Sequence, residues 1–292
     1  MPDRHIPLDQ SDKKTEPRVC IFCGGLPLSR EHVLPDWMRP YLDAGNRAGV
    51  HTTAKYRVSP TGQQLQEEVN HKHKSGDRRS QKLRVVCVKC NNEWMSQLQE
   101  DAKPFLLGPL TDRWKYLTRE AQFKIAAWAC MFTMVNERAD LRTAAIRQDE
   151  RDWLHRTKLP PGGWSVWVGR SDANFGVRLP IWHRGFEVFE NPSNVEQSDA
   201  QFTIACLADL CIATLSFSAS GSWPFVSATE MRAFGECAGF LQVWPPVEKS
   251  IFDDPEPPSK IDRAEAMKLV DSVSELIHAL HHSATTGALR AS

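Results

Sequence analysis

The chain has 292 residues, with 36 Lys and Arg balanced by 36 Asp and Glu, and is 41% hydrophobic and 25% charged. That is the composition of an ordinary globular protein, and it excludes a globally basic, histone-like binder and an acidic disordered chain. At this length one or two domains with a substantial core are expected. The neutral total hides an asymmetry, because residues 1–120 carry 20 Lys and Arg against 15 Asp and Glu, and residues 121–292 carry 16 against 21. A local positive surface matters more for polyanion binding than the total does.

Residues 1–16 read as a polar, disordered tail without the apolar segment of a secretory signal. The most apolar run, Phe123 to Val135, is 13 residues long and contains Lys124, well short of the roughly 20 residues that a membrane span needs. A cytoplasmic protein with no membrane partner is therefore expected. Disulfides are rare in that compartment, so the eight cysteines need another role.

Cys20-Ile21-Phe22-Cys23-Gly24-Gly25 reads as a tight metal-binding turn on a hairpin. Glu31-His32-Val33-Leu34 reads as a short strand stopped by Pro35, and Asp36 to Leu42 as a short helix. Residues 45–82 are polar and irregular, either a long loop or a hairpin. Leu83 to Cys87 alternates like a strand, and Cys87-Val88-Lys89-Cys90 forms a second knuckle. Asn91 and Asn92 are placed to cap a helix through Trp94, Met95, Leu98 and Ala102, interrupted near Pro104.

Residues 119–138 form a helix apolar on most faces and hence buried, and 148–157 a further helix. After Pro160-Pro161-Gly162-Gly163 the texture becomes strand-like. The runs are 164–168, 176–182, 186–189, 202–207, 212–217 and 240–244, followed by a Pro-rich linker at 255–258 and an amphipathic helix from Arg263 to His281. The expected fold class is α+β. A zinc-stabilised module at 17–108 precedes an α+β domain at 109–282, and residues 283–292 form a tail.

The two CxxC pairs, Cys20/Cys23 and Cys87/Cys90, are separated by 63 residues. Paired knuckles of this kind mark a four-thiolate structural zinc site, each knuckle offering two sulfurs on one turn. Cys130, Cys206, Cys211 and Cys237 stand singly within apolar patterns, as core residues do. A zinc joining the knuckles brings the strand bearing His32 close to the helix starting at Asn91. Glu31 and Asn91 are then candidate oxygen ligands for a second, hard cation, Mg²⁺ or Mn²⁺. His32 beside it can take a proton from water, which is the chemistry of phosphodiester hydrolysis.

The order Cys20-x2-Cys23, Glu31-His32-Val33-Leu34-Pro35, Cys87-x2-Cys90-Asn91, with the run Cys90-Asn91-Asn92-Glu93-Trp94-Met95-Ser96, resembles the HNH (ββα-metal) endonucleases that carry a structural zinc. The resemblance covers residues 18–104. It implies a treble-clef-like hairpin and helix around a cation, with Glu31 and Asn91 as ligands of the catalytic metal and His32 as general base. Many members place a third His or Asn one turn after the Asn91 position, where this chain has Trp94 and Met95. Many also use an Asn before the second knuckle to orient the histidine, where this chain has Gln81.

Lys72, Lys74, Arg78, Arg79, Lys82, Arg84 and Lys89 crowd residues 71–90 with Asp77 as the one acidic residue. The first six are the candidate nucleic-acid contacts, since cations beside a phosphodiester site attract a polyanionic backbone. The functional expectation is a metal-dependent endonuclease acting on nucleic acid, in particular DNA. The alternative is a non-catalytic, zinc-dependent nucleic-acid-binding protein.

Overall fold

The computed structural model describes residues 19–42, 50–58, 65–73, 81–115, 117–172, 180–187, 200–217, 235–236, 238–246 and 258–286. The tail expected at 1–16 and most of the Pro-rich linker lie outside these residues. The protein is α+β, with helices packed on a largely antiparallel sheet. Among the described residues no helix is long and apolar enough to cross a membrane.

Strand β1 (Glu31–His32) pairs antiparallel with β4 (Lys82–Leu83), Glu31 opposite Leu83 and His32 opposite Lys82. Between them, Asp36–Tyr41 forms a 3₁₀ helix where a short helix was expected. Of the two readings for residues 45–82, the hairpin is the one observed: β2 (Val50–Val58) pairs with β3 (Leu65–His73). Helix α1 (Val88–Cys90) is capped by Cys87, whose Sγ accepts from the Cys90 N–H at 3.4 Å. Asn91 and Asn92 therefore do not cap the helix; they begin a π-helical turn, Asn91–Met95, that leads into α2 (Ser96–Leu110). A correction concerns Pro104, which does not interrupt the helix. Proline removes its own N–H from the hydrogen-bond ladder and crowds the carbonyl four residues back, yet the apolar stripe Leu98, Ala102, Leu106 and Leu110 stays buried across it.

Helix α3 (Arg119–Asn136) starts at Thr118, whose hydroxyl accepts from the Ala121 N–H at 3.2 Å, and carries Glu120 in its first turn. Its buried set runs continuously from Ile125 to Asn136, because helices and sheet surround it. Each large apolar side chain so buried contributes about 1.5–3 kcal/mol. Helix α4 (Gln148–Thr157) matches its expected span. The end of α3 is fastened to α4 by a fully buried ion pair between Glu137 and Arg151. Arg151 also donates to the Met134 carbonyl at 2.9 Å, and Glu137 accepts from the Ala145 and Ile146 N–H groups.

The remaining elements are β5 (Trp164–Ser171), β6 (Ile181–Glu187), β7 (Ala200–Leu207), β8 (Leu210–Phe217), β9 (Leu241–Trp244), β10 (Lys260–Ile261) and α5 (Arg263–Thr286). Helix α5 thus runs through residues 283–286, assigned to a tail from sequence. The eight-stranded sheet has the order β10-β5-β8-β7-β6-β2-β3, with β9 also on β5. Its strands β2 and β3 come from before residue 108, β2 lying parallel to β6. One face (Trp164, Val166, Val168, Ile212) shares a continuous core with α2, α3 and the cysteine module. The other (Trp167, Phe202, Ile204, Leu215) packs on Leu269, Val270, Val273 and Ile277 of α5.

The reading of Cys206 and Cys211 as separate core residues is corrected by the β7–β8 hairpin. The two sit directly opposite each other and form a disulfide, with Cα atoms 4.2 Å apart. A two-residue connection, Ala208-Asp209, brings side chains five positions apart face to face. Cys130 is buried among apolar side chains as expected, and Cys237 lies outside the described residues.

His183 on β6 is 1% exposed. Its Nε2 lies 3.2 Å from the Thr143 carbonyl and its Nδ1 2.7 Å from the Thr203 hydroxyl. Burial lowers its pKa to about 4, against the partly opposing carbonyl of Thr143 and charge of Asp140. The unfolded chain takes up this proton near pH 6.5 while the folded chain stays neutral to about 4, so stability is lost as pH falls through that window. Urea unfolding of wild type and His183→Gln between pH 7 and 4.5 should show the variant losing less stability on acidification, by up to about 2–3 kcal/mol. Parallel pH profiles would remove His183 from the acid sensitivity.

Candidate metal centre and active site

The first knuckle closes through two short backbone bonds, Gly24 N–H to the Cys20 carbonyl (2.9 Å) and Cys20 N–H to the Gly25 carbonyl (3.1 Å). Gly24 takes φ +68°, a left-handed conformation open to glycine at little cost. The second knuckle is clamped to it by Ile21 N–H to Val85 O (2.9 Å), Ser29 N–H to Val86 O (2.8 Å) and Val88 N–H to Pro27 O (3.0 Å). These bonds, not sequence proximity, set the two CxxC pairs side by side.

The result is one cluster: the Sγ atoms of Cys20, Cys23, Cys87 and Cys90 all lie within 4.8 Å of one another, Cys23 and Cys87 at 3.5 Å. A tetrahedral zinc with bonds of about 2.3 Å spaces its sulfurs about 3.8 Å apart, so the cluster is positioned to hold one metal ion and is compatible with structural zinc. Its electrostatics ask for a cation. Burial and neighbouring thiols push the Cys90 thiol up. Burial also acts upward on Cys87, but the Cys90 N–H and the surrounding thiols outweigh it and hold that sulfur low. Four sulfurs so close cannot all ionise without a positive ion among them.

Strand β1 is tied to the cluster through β4, and Val33 N–H donates to the Gln81 carbonyl at 2.9 Å. Glu31 and His32 both line one small cleft, closed by Met95 and Gln99 of the π-turn and α2 and by Trp128 and Phe132 of α3. Glu31 is 6% exposed. Burial raises its pKa to about 7; the Gln99 hydrogen bond and Lys82 pull downward, and Asp36 adds to the rise. No Lys or Arg among the described residues forms an ion pair with it. Burial of this kind favours the protonated carboxyl unless positive charge stands beside it.

His32 is half-buried, its side chain 19% exposed. Its Nε2 lies 3.1 Å from Arg39 Nη2 and its Nδ1 3.5 Å from Asp36 Oδ1. A guanidinium only donates, so Nε2 is the unprotonated nitrogen and the ring proton sits on Nδ1, toward Asp36. Burial holds the imidazole below its usual range; Asp36 opposes this, and Lys82 and Arg39 reinforce it. His32 is therefore neutral at neutral pH.

Asn91 stands at the start of the π-turn, half-buried, its N–H bonded to the Cys87 carbonyl at 3.0 Å. It is not among the residues lining the Glu31–His32 cleft; Gln99, two turns on, takes that place. Sequence reading missed Gln99, Arg39 and Asp36. The signal available for the last two was their spacing from His32 within Asp36-Trp37-Met38-Arg39. The Gln81 backbone carbonyl accepts from the Val33 N–H, while its side-chain Nε2 is buried with no hydrogen-bond partner among the described residues.

Lys82 and Arg84 are exposed. Lys72 is on β3 opposite His51, and its side chain lies outside the description. Lys74, Arg78 and Arg79 lie outside the described residues.

Fold and site together define an α+β protein with a four-cysteine cluster positioned to hold a metal ion and a cleft lined by Glu31 and His32. No protein-family model matches the chain, no curated protein matches it, and no solved structure matches it.

Proposed function

We propose that this chain is a metal-dependent endonuclease of the HNH type, a treble-clef-like ββα-metal module hydrolysing phosphodiester bonds in DNA. One observation supports the reading above others. A buried carboxyl that forms no ion pair among the described residues and an imidazole that burial holds below its usual range stand adjacent on a strand anchored to the four-cysteine cluster, and both line one cleft. In this reading Cys20, Cys23, Cys87 and Cys90 hold structural zinc. Glu31 holds Mg²⁺ or Mn²⁺, with Asn91 as the further oxygen donor that the resemblance implies. The cation stabilises negative charge on the phosphate and leaving oxygen. His32 takes a proton from the attacking water at Nε2, and Asp36 near the Nδ1 side keeps the ring in the tautomer that leaves Nε2 basic. Gln99 orients the Glu31 carboxylate.

The zinc-loaded protein should convert supercoiled plasmid to nicked and linear forms with Mg²⁺ or Mn²⁺ and not without a divalent cation. Absence of cleavage of any nucleic acid with either ion would remove the enzymatic reading. The position of Asn91 outside the cleft lining favours, as a second reading, a module that binds nucleic acid through zinc-supported structure alone. It predicts salt-sensitive binding that needs neither Mg²⁺ nor His32.

A further inference from the structure

The 3₁₀ helix after β1 places a cation directly on the imidazole. Arg39 Nη2 lies 3.1 Å from His32 Nε2, while Arg39 Nε lies 3.1 Å from Asp36 Oδ1. Asp36 is thus shared, since the same oxygen faces His32 Nδ1 at 3.5 Å. The three side chains form a ring within eight residues, and it reaches solvent: Arg39 and Asp36 are 39% and 62% exposed, and His32, which lines the cleft, 19%. Because the guanidinium can only donate, it covers the one nitrogen of His32 able to accept a proton. An Arg–imidazole bond is a weak use of a guanidinium. Its planar fork matches the paired oxygens of a phosphate far better than a single ring nitrogen, and bonds to an ionised acceptor are about twice as strong as those to a neutral one. Lys82, exposed and directly opposite His32 in the β1–β4 pair, adds positive charge beside the ring.

We propose that Arg39 is a phosphate-binding residue of this site and that, without substrate, it caps His32 Nε2, so that capture of a phosphodiester draws the guanidinium away and uncovers the base. This rests on the nuclease reading above and adds to it a substrate contact and a coupling between binding and proton acceptance. Arg39 is a substrate-binding residue here, and Asp36 a positioning residue that holds both partners in the resting arrangement.

The test is binding of a short fluorescein-labelled DNA duplex by the zinc-loaded chain, read by anisotropy across a salt series without added divalent cation. Each phosphate contact contributes about 0.9 to the slope of log K against log salt. Arg39→Ala should weaken binding about tenfold or more at low salt and make the slope shallower by about 0.9. Arg39→Lys, which keeps a point charge, should restore the slope and recover part of the affinity. In the plasmid assay Arg39→Ala should raise KM more than it lowers kcat, because the uncapped imidazole no longer waits for substrate. If wild type binds and Arg39→Ala binds equally tightly with the same slope, the proposal fails while the nuclease reading stands. If Arg39→Lys is as defective as Arg39→Ala in slope, the contact is structural and the proposal also fails. If wild type neither binds nor cuts the duplex, both fall together.

Discussion

Substitution His32→Ala should lower the divalent-dependent cleavage rate about 10²–10⁴-fold, with zinc content and thermal midpoint unchanged. The size follows from what the imidazole does in the proposed reaction. It is the neutral group in the cleft, held so by burial and by the charges of Lys82 and Arg39, and its Nε2 is the acceptor atom. The fold should tolerate the change, because the ring is partly exposed and its side-chain partners among the described residues are the exposed Asp36 and Arg39. Plasmid nicking rates for both proteins, with zinc per chain measured in parallel, decide the matter. Equal rates would take His32 out of the chemistry. A loss of rate accompanied by loss of zinc would mean that the variant had damaged the scaffold instead.

The second large effect is on the scaffold. Removing the metal with a strong chelator, or substituting Cys90→Ser, should unfold the cysteine module and abolish cleavage together. Zinc binding in small modules carries folding free energy, about 10–16 kcal/mol in zinc-finger peptides. Among the described residues, three backbone bonds connect its two knuckles, two of them flanking the antiparallel pair Leu28 and Cys87, together with one bond from the Ser29 hydroxyl to the Val86 carbonyl. Damage should spread, because Phe22, Val86, Met95 and Leu98 belong to the core that contains α3 and one face of the large sheet. Near-ultraviolet circular dichroism of the Trp-rich core should therefore change on zinc removal, and readdition of zinc should reverse it. A signal and melting curve indifferent to chelation would show that the cluster is not what holds these elements together.

Much of the scaffold could be read from the chain because its signals are local. The CxxC spacing with Gly24 and Gly25 announced the first knuckle, and the apolar run from Phe123 to Val135 announced a buried helix. The 10-residue helix α4 matched its predicted bounds. What could not be read was set by distant pairing. The hairpin 50–73 looks polar and irregular, yet β2 joins β6 in register across more than a hundred residues. Cys206 and Cys211 gave no motif; only the tightness of the β7–β8 connection makes them partners. Within the site, the adjacency of Glu31 and His32 and their place near the cysteines came from sequence. That Gln99, not Asn91, lines the cleft beside Glu31 did not, because the π-turn at Asn91–Met95 changes the face on which later helix residues fall. Arg39 was hidden for a similar reason, since a 3₁₀ turn, with three residues per turn, folds it back toward His32.

X-ray absorption at the zinc edge on the purified chain tests the foundation of this account most directly. Four sulfurs at about 2.3 Å, with one zinc per chain, is the expected result. A shell of nitrogen and oxygen, or protein that folds and stays intact with no zinc, would contradict it.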